Sequence, residues 1–239
     1  MRPGSDKLIL ALDLPGGQEA LKWVDRTKDC ISTFKVGLQL FTKEGPSFVK
    51  TMRDRGVHVF LDLKLHDISN QVARAIESLV PLDIRFLTVH TLGGSAMLRS
   101  ALEACSPATT LLGVTVLTSL DNAQLQEVGI AAPAQEQALL LAEMGKRSGL
   151  QAFVCSPEEV GLLRARLGAD ITLVTPGVRP TGSTSNDQKR VATPREAILA
   201  GANHLVIGRP ILQSNDPMGA LESILDEIEE ASTMPFDSR

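Results

Sequence analysis

Residues 57–80 read Val-His-Val-Phe-Leu-Asp-Leu-Lys-Leu-His-Asp-Ile-Ser-Asn-Gln-Val-Ala-Arg-Ala-Ile-Glu-Ser-Leu-Val. The first third alternates as a β-strand does, and the last two thirds place Val72, Ala73, Ile76, Leu79 and Val80 at helical spacing. This predicts one βα unit, with a strand near 57–64 and a helix near 68–80. The same alternation extends in both directions. Strands are expected near 7–13, 32–37, 84–90, 109–117, 150–155, 171–175 and 203–207. Helices are expected near 18–21, 43–55, 94–105, 134–147, 157–167, 194–200 and 217–230. Runs such as Leu111–Leu117 are apolar on both faces, as parallel strands covered by helices must be. Eight βα units of about 30 residues favour a single α/β domain, a (β/α)8 TIM barrel spanning 1–239, over an open doubly wound sheet.

Charges interrupt this apolar plan at the strand ends. In a strand, Asp62 and Lys64 share one face while Leu61, Leu63 and Leu65 share the other. The leucines suit the helix-covered outside, so Asp62 and Lys64 are expected to point into the barrel near the C-terminal end of strand three, where barrel enzymes keep their chemistry. A buried ion pair seldom improves stability over apolar residues, so a functional reason is favoured. Asp13 at the end of strand one and Lys35 in strand two extend the set to four charges of alternating sign on three adjacent strands. A second group lies across the sequence: Pro176 and Arg179 after strand seven, Gln188 in a long loop, and Gly208 and Arg209 after strand eight. Loops after strands seven and eight of such barrels commonly take phosphate, glycine allowing close backbone approach and arginine a two-pronged grip. The loop 177–191, GVRPTGSTSNDQKRV, is long for a βα connection and reads as a phosphate-binding lid.

Other classes find little support. The net charge of −4 argues against a nucleic-acid or membrane surface. No apolar run reaches membrane-spanning length, and Leu8–Leu12 is too short for a secretory signal. Cys30, Cys105 and Cys155 are too scattered for a zinc site and read as reduced thiols of a cytoplasmic protein. The four histidines are not spaced as metal ligands, and no serine sits in a nucleophile elbow. His90 reads as a rim or core residue.

The spacing Asp62-x-Lys64-x-x-Asp67 resembles the active-site motif of the orotidine monophosphate decarboxylase family. Leu10–Leu14 (LALDL), Phe34–Gly37 (FKVG), Val116–Ser119 (VLTS), Thr175–Pro180 (TPGVRP), Asp187–Val191 (DQKRV) and Val206–Pro210 (VIGRP) resemble segments of its bacterial members, in order along nearly the whole chain. The resemblance implies a homodimer that needs neither metal nor organic cofactor. Lys64 would protonate C6 of the pyrimidine. Asp62 would lie beside the departing carboxylate, with Lys35 and Lys64 flanking it. Asp67 would reach the neighbouring subunit's site, with Ile68 and Gln71 in the same segment, Asp13 and Lys35 would touch ribose, and Thr118 and Ser119 would face the pyrimidine. Pro176, Arg179, Gln188, Gly208 and Arg209 would surround the phosphate. The segment Asp67–Ile68–Ser69–Asn70–Gln71 departs from the family's Asp-Ile-Pro-Asn-Thr, which puts the cross-subunit ribose contact at Gln71 in doubt. Magnesium-dependent members of the superfamily carry a metal-binding glutamate on strand two, where this chain has Lys35, and an ammonium cannot ligate Mg²⁺. A non-catalytic phosphosugar-binding barrel is the other alternative, and the buried charge set argues against it.

Overall fold

The computed structural model describes residues 2–180 and 192–233. Eight parallel strands close into a barrel in sequence order. They are β1 (Leu8–Ala11), β2 (Thr33–Gly37), β3 (His58–Leu65), β4 (Phe86–His90), β5 (Thr110–Val114), β6 (Ala152–Val154), β7 (Thr172–Pro176) and β8 (His204–Ile207). The helices wrapped around them are α1 (Gly17–Thr27), α2 (Leu38–Glu44), α3 (Pro46–Arg53), α4 (Ser69–Leu79), α5 (Gly94–Ala104), α6 (Asn122–Glu127), α7 (Ala134–Arg147), α8 (Pro157–Leu167), α9 (Pro194–Leu199), α10 (Arg209–Leu212) and α11 (Pro217–Thr233). β1 pairs with β8 through Ile9 opposite Val206, so the sheet has no free edge and every interior strand position is enclosed.

Alternation sorts the side chains into two apolar regions. Leu8, Leu10, Phe34, Val36, Val59 and Leu61 join the large core between sheet and helices. Ile9, Phe60, Phe86, Leu112, Val174 and Val206 fill the barrel interior. The interior is therefore closed by an apolar plug, with the charged side chains of the strand ends above it and Thr33 and His204 below it.

Several boundaries differ from expectation, each for a local reason. The helix expected over 43–55 is two helices, because Gly45 takes a φ of 71° and Pro46 starts the next one. The strand expected over 109–117 ends at Val114. Val116, in the loop that follows, instead packs with Leu125, Ala138 and Leu141, so one apolar run serves three clusters, with Leu111 in the outer core and Leu112 in the barrel interior. α6 follows that loop and is started by a reciprocal capping box between Asp121 and Gln124. β1 ends at Ala11, so Asp13 stands two residues beyond the strand, where Leu12 N–H still donates to the Lys35 carbonyl at 3.0 Å.

At the closed end of the barrel, His204 Nδ1 lies 3.1 Å from the Asp6 carbonyl, and the ring meets Phe86 edge-on. Nδ1 must carry the proton to donate to that carbonyl. Burial, with help from Arg85, lowers its pKa from 6.5 to about 4, against the opposing pull of the Asp6 carbonyl. The unfolded chain thus takes up a proton over a range where the folded chain does not. The stabilisation from a neutral His204 is complete above about pH 6.5 and is lost as pH falls towards 4. Wild-type protein should lose on the order of 1–3 kcal/mol across that window through this residue. A His204→Phe variant should show a flatter melting temperature between those pH values. An identical slope in both proteins would show that His204 does not titrate this way.

Candidate active site

Above the apolar plug a cavity of about 350 Å³ opens at the C-terminal ends of the strands. Asp13, Lys35, Asp62, Lys64, Thr118, Pro176, Arg179, Gly208 and Arg209 line it, bringing together most of the residues singled out in the sequence. The first four form a chain of alternating charge. Lys35 Nζ is 2.8 Å from Asp13 Oδ1 and 3.7 Å from Asp62 Oδ2. Lys64 Nζ donates to both oxygens of Asp62, at 2.8 Å and 2.9 Å. The Lys35 and Asp62 side chains retain only 9% and 12% of their exposure, whereas Lys64 keeps 34%. The array is anchored at its buried middle and open at both ends, Asp13 and Lys64.

Burial opposes ionisation of Asp62, but Lys35 and Lys64, with hydrogen bonds from Lys64 and Thr88, outweigh it. They hold the carboxyl below its usual range. Asp62 is therefore an anion at neutral pH, fixed beside two ammonium groups. Gly37 makes room for this arrangement. A Cβ there would lie 3.1 Å from Lys35 Nζ and 3.2 Å from Asp13 Oδ1. Across the barrel, Gly208 brings its backbone against β1, where a Cβ would meet the Ala11 carbonyl at 3.1 Å. Arg209 follows as the first residue of α10. Arg179 is buried, and its backbone N–H donates to Ala192 at 2.9 Å. Val178 and Ala192 pair in a parallel bridge, so the long loop leaves and returns at one point beside the cavity. Two carboxylates and four cations line this cavity among the described residues, in a protein of net charge −4. The local field favours an anionic ligand.

Lys64 does not reach Asp62 by regular strand alternation. Between the pairs Leu61–Leu87 and Leu65–Val89, β3 has three residues and β4 has only Thr88. This bulge leaves Lys64 at a φ of 50°, in the left-handed region that costs a non-glycine residue about 1–2 kcal/mol. Leu63 and Leu65 still pack against the outer core, as expected. Thr88, absent from the sequence-based candidates, is fully buried opposite the bulge. The one available signal was a lone hydroxyl in the apolar strand Phe86–His90.

Other expected residues lie elsewhere. Thr118 and Ser119 are the central pair of a turn closed by Leu120 N–H on the Leu117 carbonyl. Thr118 lines the cavity, while Ser119 is exposed and is not part of the lining. Asp67, Ile68 and Gln71 are exposed and absent from the lining. Gln188 and the loop from 181 to 191 fall outside the described residues. His90 is also outside the lining. Its ring stacks on His66 with centroids 5.3 Å apart, and burial, then His66 and Lys64, lowers its pKa to about 4. It is a neutral rim residue. Cys155 is fully enclosed, its thiol pushed up to about 12 by burial and Glu159, which is no state for a nucleophile. Among the described residues, no three His, Cys, Asp or Glu side chains gather as a metal-ligand set, and no helix is long and apolar enough to cross a membrane.

Residues 6–224 match the family described as Orotidine 5'-phosphate decarboxylase / HUMPS. The chain belongs to this family. It is 48% identical over 230 residues to the Orotidine 5'-phosphate decarboxylase of Syntrophotalea carbinolica, covering 93% of this chain and 94% of the relative. The Thermobifida fusca protein of the same name is 46% identical over 229 residues, with 95% and 98% covered. The crystal structure of Orotidine 5'-phosphate decarboxylase from Lactobacillus acidophilus superposes with a TM-score of 0.81 at 38% identity, covering 93% of this chain and 99% of that one.

Proposed function

We propose that the protein decarboxylates orotidine 5′-monophosphate to uridine 5′-monophosphate, the step that yields the first uridine nucleotide of pyrimidine biosynthesis. The observation that carries this reading is Lys64 Nζ held 2.8 Å from a buried, ionised Asp62 inside a cavity whose far side presents Arg179 and Arg209. The bond from C6 to the carboxylate breaks, and its electron pair remains on C6. Neutral CO₂ departs, and a proton passes from Lys64 Nζ to C6. Lys64 then regains a proton from solvent.

The C6 carbanion has little resonance support, so a preorganised cation beside it is the main help a protein can supply. Asp62 orients Lys64 and disfavours the substrate carboxylate, while Lys35 keeps Asp62 ionised and fixed. The phosphate falls to Arg209, Gly208 and the root of the 177–191 loop around Pro176 and Arg179, with Gln188 from that loop as a further ligand. Binding energy from this remote group can then act at the reacting end. Asp13 and Lys35 meet ribose, and Thr118 meets the pyrimidine.

The reading extends to a cytoplasmic homodimer with shared sites. Asp67, Ile68 and Gln71 are exposed on the single chain, and Ile68 and Leu92 stand 68% and 47% exposed two residues beyond the stacked rings of His66 and His90. Such apolar exposure beside a charged site suits burial against a second copy.

No metal or organic cofactor is required, because each carboxylate of the charge array is already matched by an ammonium group. Turnover of orotidine 5′-monophosphate should be unchanged after exhaustive treatment with EDTA. If chelation abolished activity and Mg²⁺ restored it, the reading would give way to metal-dependent sugar-phosphate chemistry.

A further inference from the structure

We propose that Thr88 is a positioning residue for the decarboxylation, with its hydroxyl holding Lys64 and Asp62 in one geometry. This inference rests on the function proposed above. Three residues of β3 face Thr88 alone across the bulge, so the regular backbone ladder cannot hold Lys64 there. The threonine side chain takes over that task. Its Oγ1 accepts from Lys64 N–H at 2.8 Å and donates to Asp62 Oδ1 at 3.0 Å. One hydroxyl thus fixes the backbone of the proton donor at its unfavourable φ of 50° and one oxygen of the carboxylate that orients its ammonium group. Thr88 is fully buried, so water cannot readily replace either bond. It does not line the cavity and acts only through Lys64 and Asp62. The phosphate-side arginines lie across the barrel after β7 and β8 and are untouched by it. Loss of the hydroxyl should therefore appear in kcat rather than in KM.

The test compares wild type with Thr88→Val, which keeps the shape, and Thr88→Ser, which keeps the hydroxyl. Thr88→Val should lower kcat for orotidine 5′-monophosphate by about 10- to 100-fold and change KM by less than about threefold. Thr88→Ser should recover kcat to within about threefold of wild type. Should Thr88→Val fail to fold, Thr88→Ala against Thr88→Ser makes the same comparison with a difference of one oxygen atom. A hydroxyl-free variant within twofold of wild-type kcat would overturn the proposal, as would a serine variant that falls as far as valine or alanine. Hydrogen exchange at the Lys64 amide supplies a readout that needs no turnover. It should quicken at least about tenfold without the hydroxyl and return with serine. If wild type itself failed to decarboxylate the substrate, the functional reading would fall. Thr88 would then be judged on that amide alone, with unchanged exchange counting against it.

Discussion

Replacing Lys64 by alanine should reduce kcat for orotidine 5′-monophosphate by about a thousandfold or more, while uridine 5′-monophosphate still binds within about tenfold of wild type. Two losses combine in this variant. The proton donor to C6 disappears, and among the described residues Asp62 keeps Lys35, at 3.7 Å, as its one ion-pair partner. Both losses fall on the reacting end. The groups assigned to phosphate and ribose lie on other strands, so ground-state binding should largely survive. An interaction made only in the transition state lowers kcat and kcat/KM together when it is removed. Single-turnover kinetics with calorimetric titration of uridine 5′-monophosphate would separate the two effects. A Lys64→Ala enzyme that kept a tenth of wild-type kcat would exclude Lys64 as the donor.

The part of the site that rests on this lysine was legible in the sequence because its residues sit on strands. Asp62 and Lys35 interrupt apolar runs at positions that alternation sends inward, and a closed barrel gives inward charges one place to meet. Lys64 was identified for an incomplete reason. Alternation placed it beside Asp62, whereas the chain gets it there through a bulge and a left-handed backbone. Single-sequence periodicity carries no signal for a bulge, and that is also why Thr88 escaped notice. A buried threonine in a β-strand is ordinary until the residue across from it loses its ladder partner. The limits of β5 were hidden differently, since Leu112 and Val116 are both buried but in separate cores. Ser119 was carried in by family resemblance, and the turn at Thr118–Ser119 gives the cavity only the first of the two.

Mixing inactive Lys64→Ala chains with inactive Asp67→Ala chains should return about a quarter of wild-type activity. Asp67 follows β3 at the entrance to α4, where a side chain would ordinarily cap the helix. It does not do so here. The N-cap position is Ile68, the helix has no side-chain cap, and Asp67 Oδ1 accepts from the adjacent Ile68 N–H at 2.7 Å. Asp67 is exposed, and among the described residues it has no ion-pair partner in its own chain, although Lys64 is three positions away. If the proposed reaction needs this carboxylate, one that does not line its own cavity is suited to serve a neighbouring one. In a two-fold dimer each site would then combine Lys64 of one chain with the partner's Asp67. A heterodimer of the two variants has one site lacking both groups and one site with both intact. Random reassortment of equal amounts makes roughly half the dimers mixed, and each mixed dimer has one working site of two. If Asp67 acted within its own chain, every mixed site would carry one lesion, and mixing would restore nothing. Absence of recovery after subunit exchange has been verified by mass spectrometry would end the shared-site proposal and return Asp67 to a local role at the start of α4.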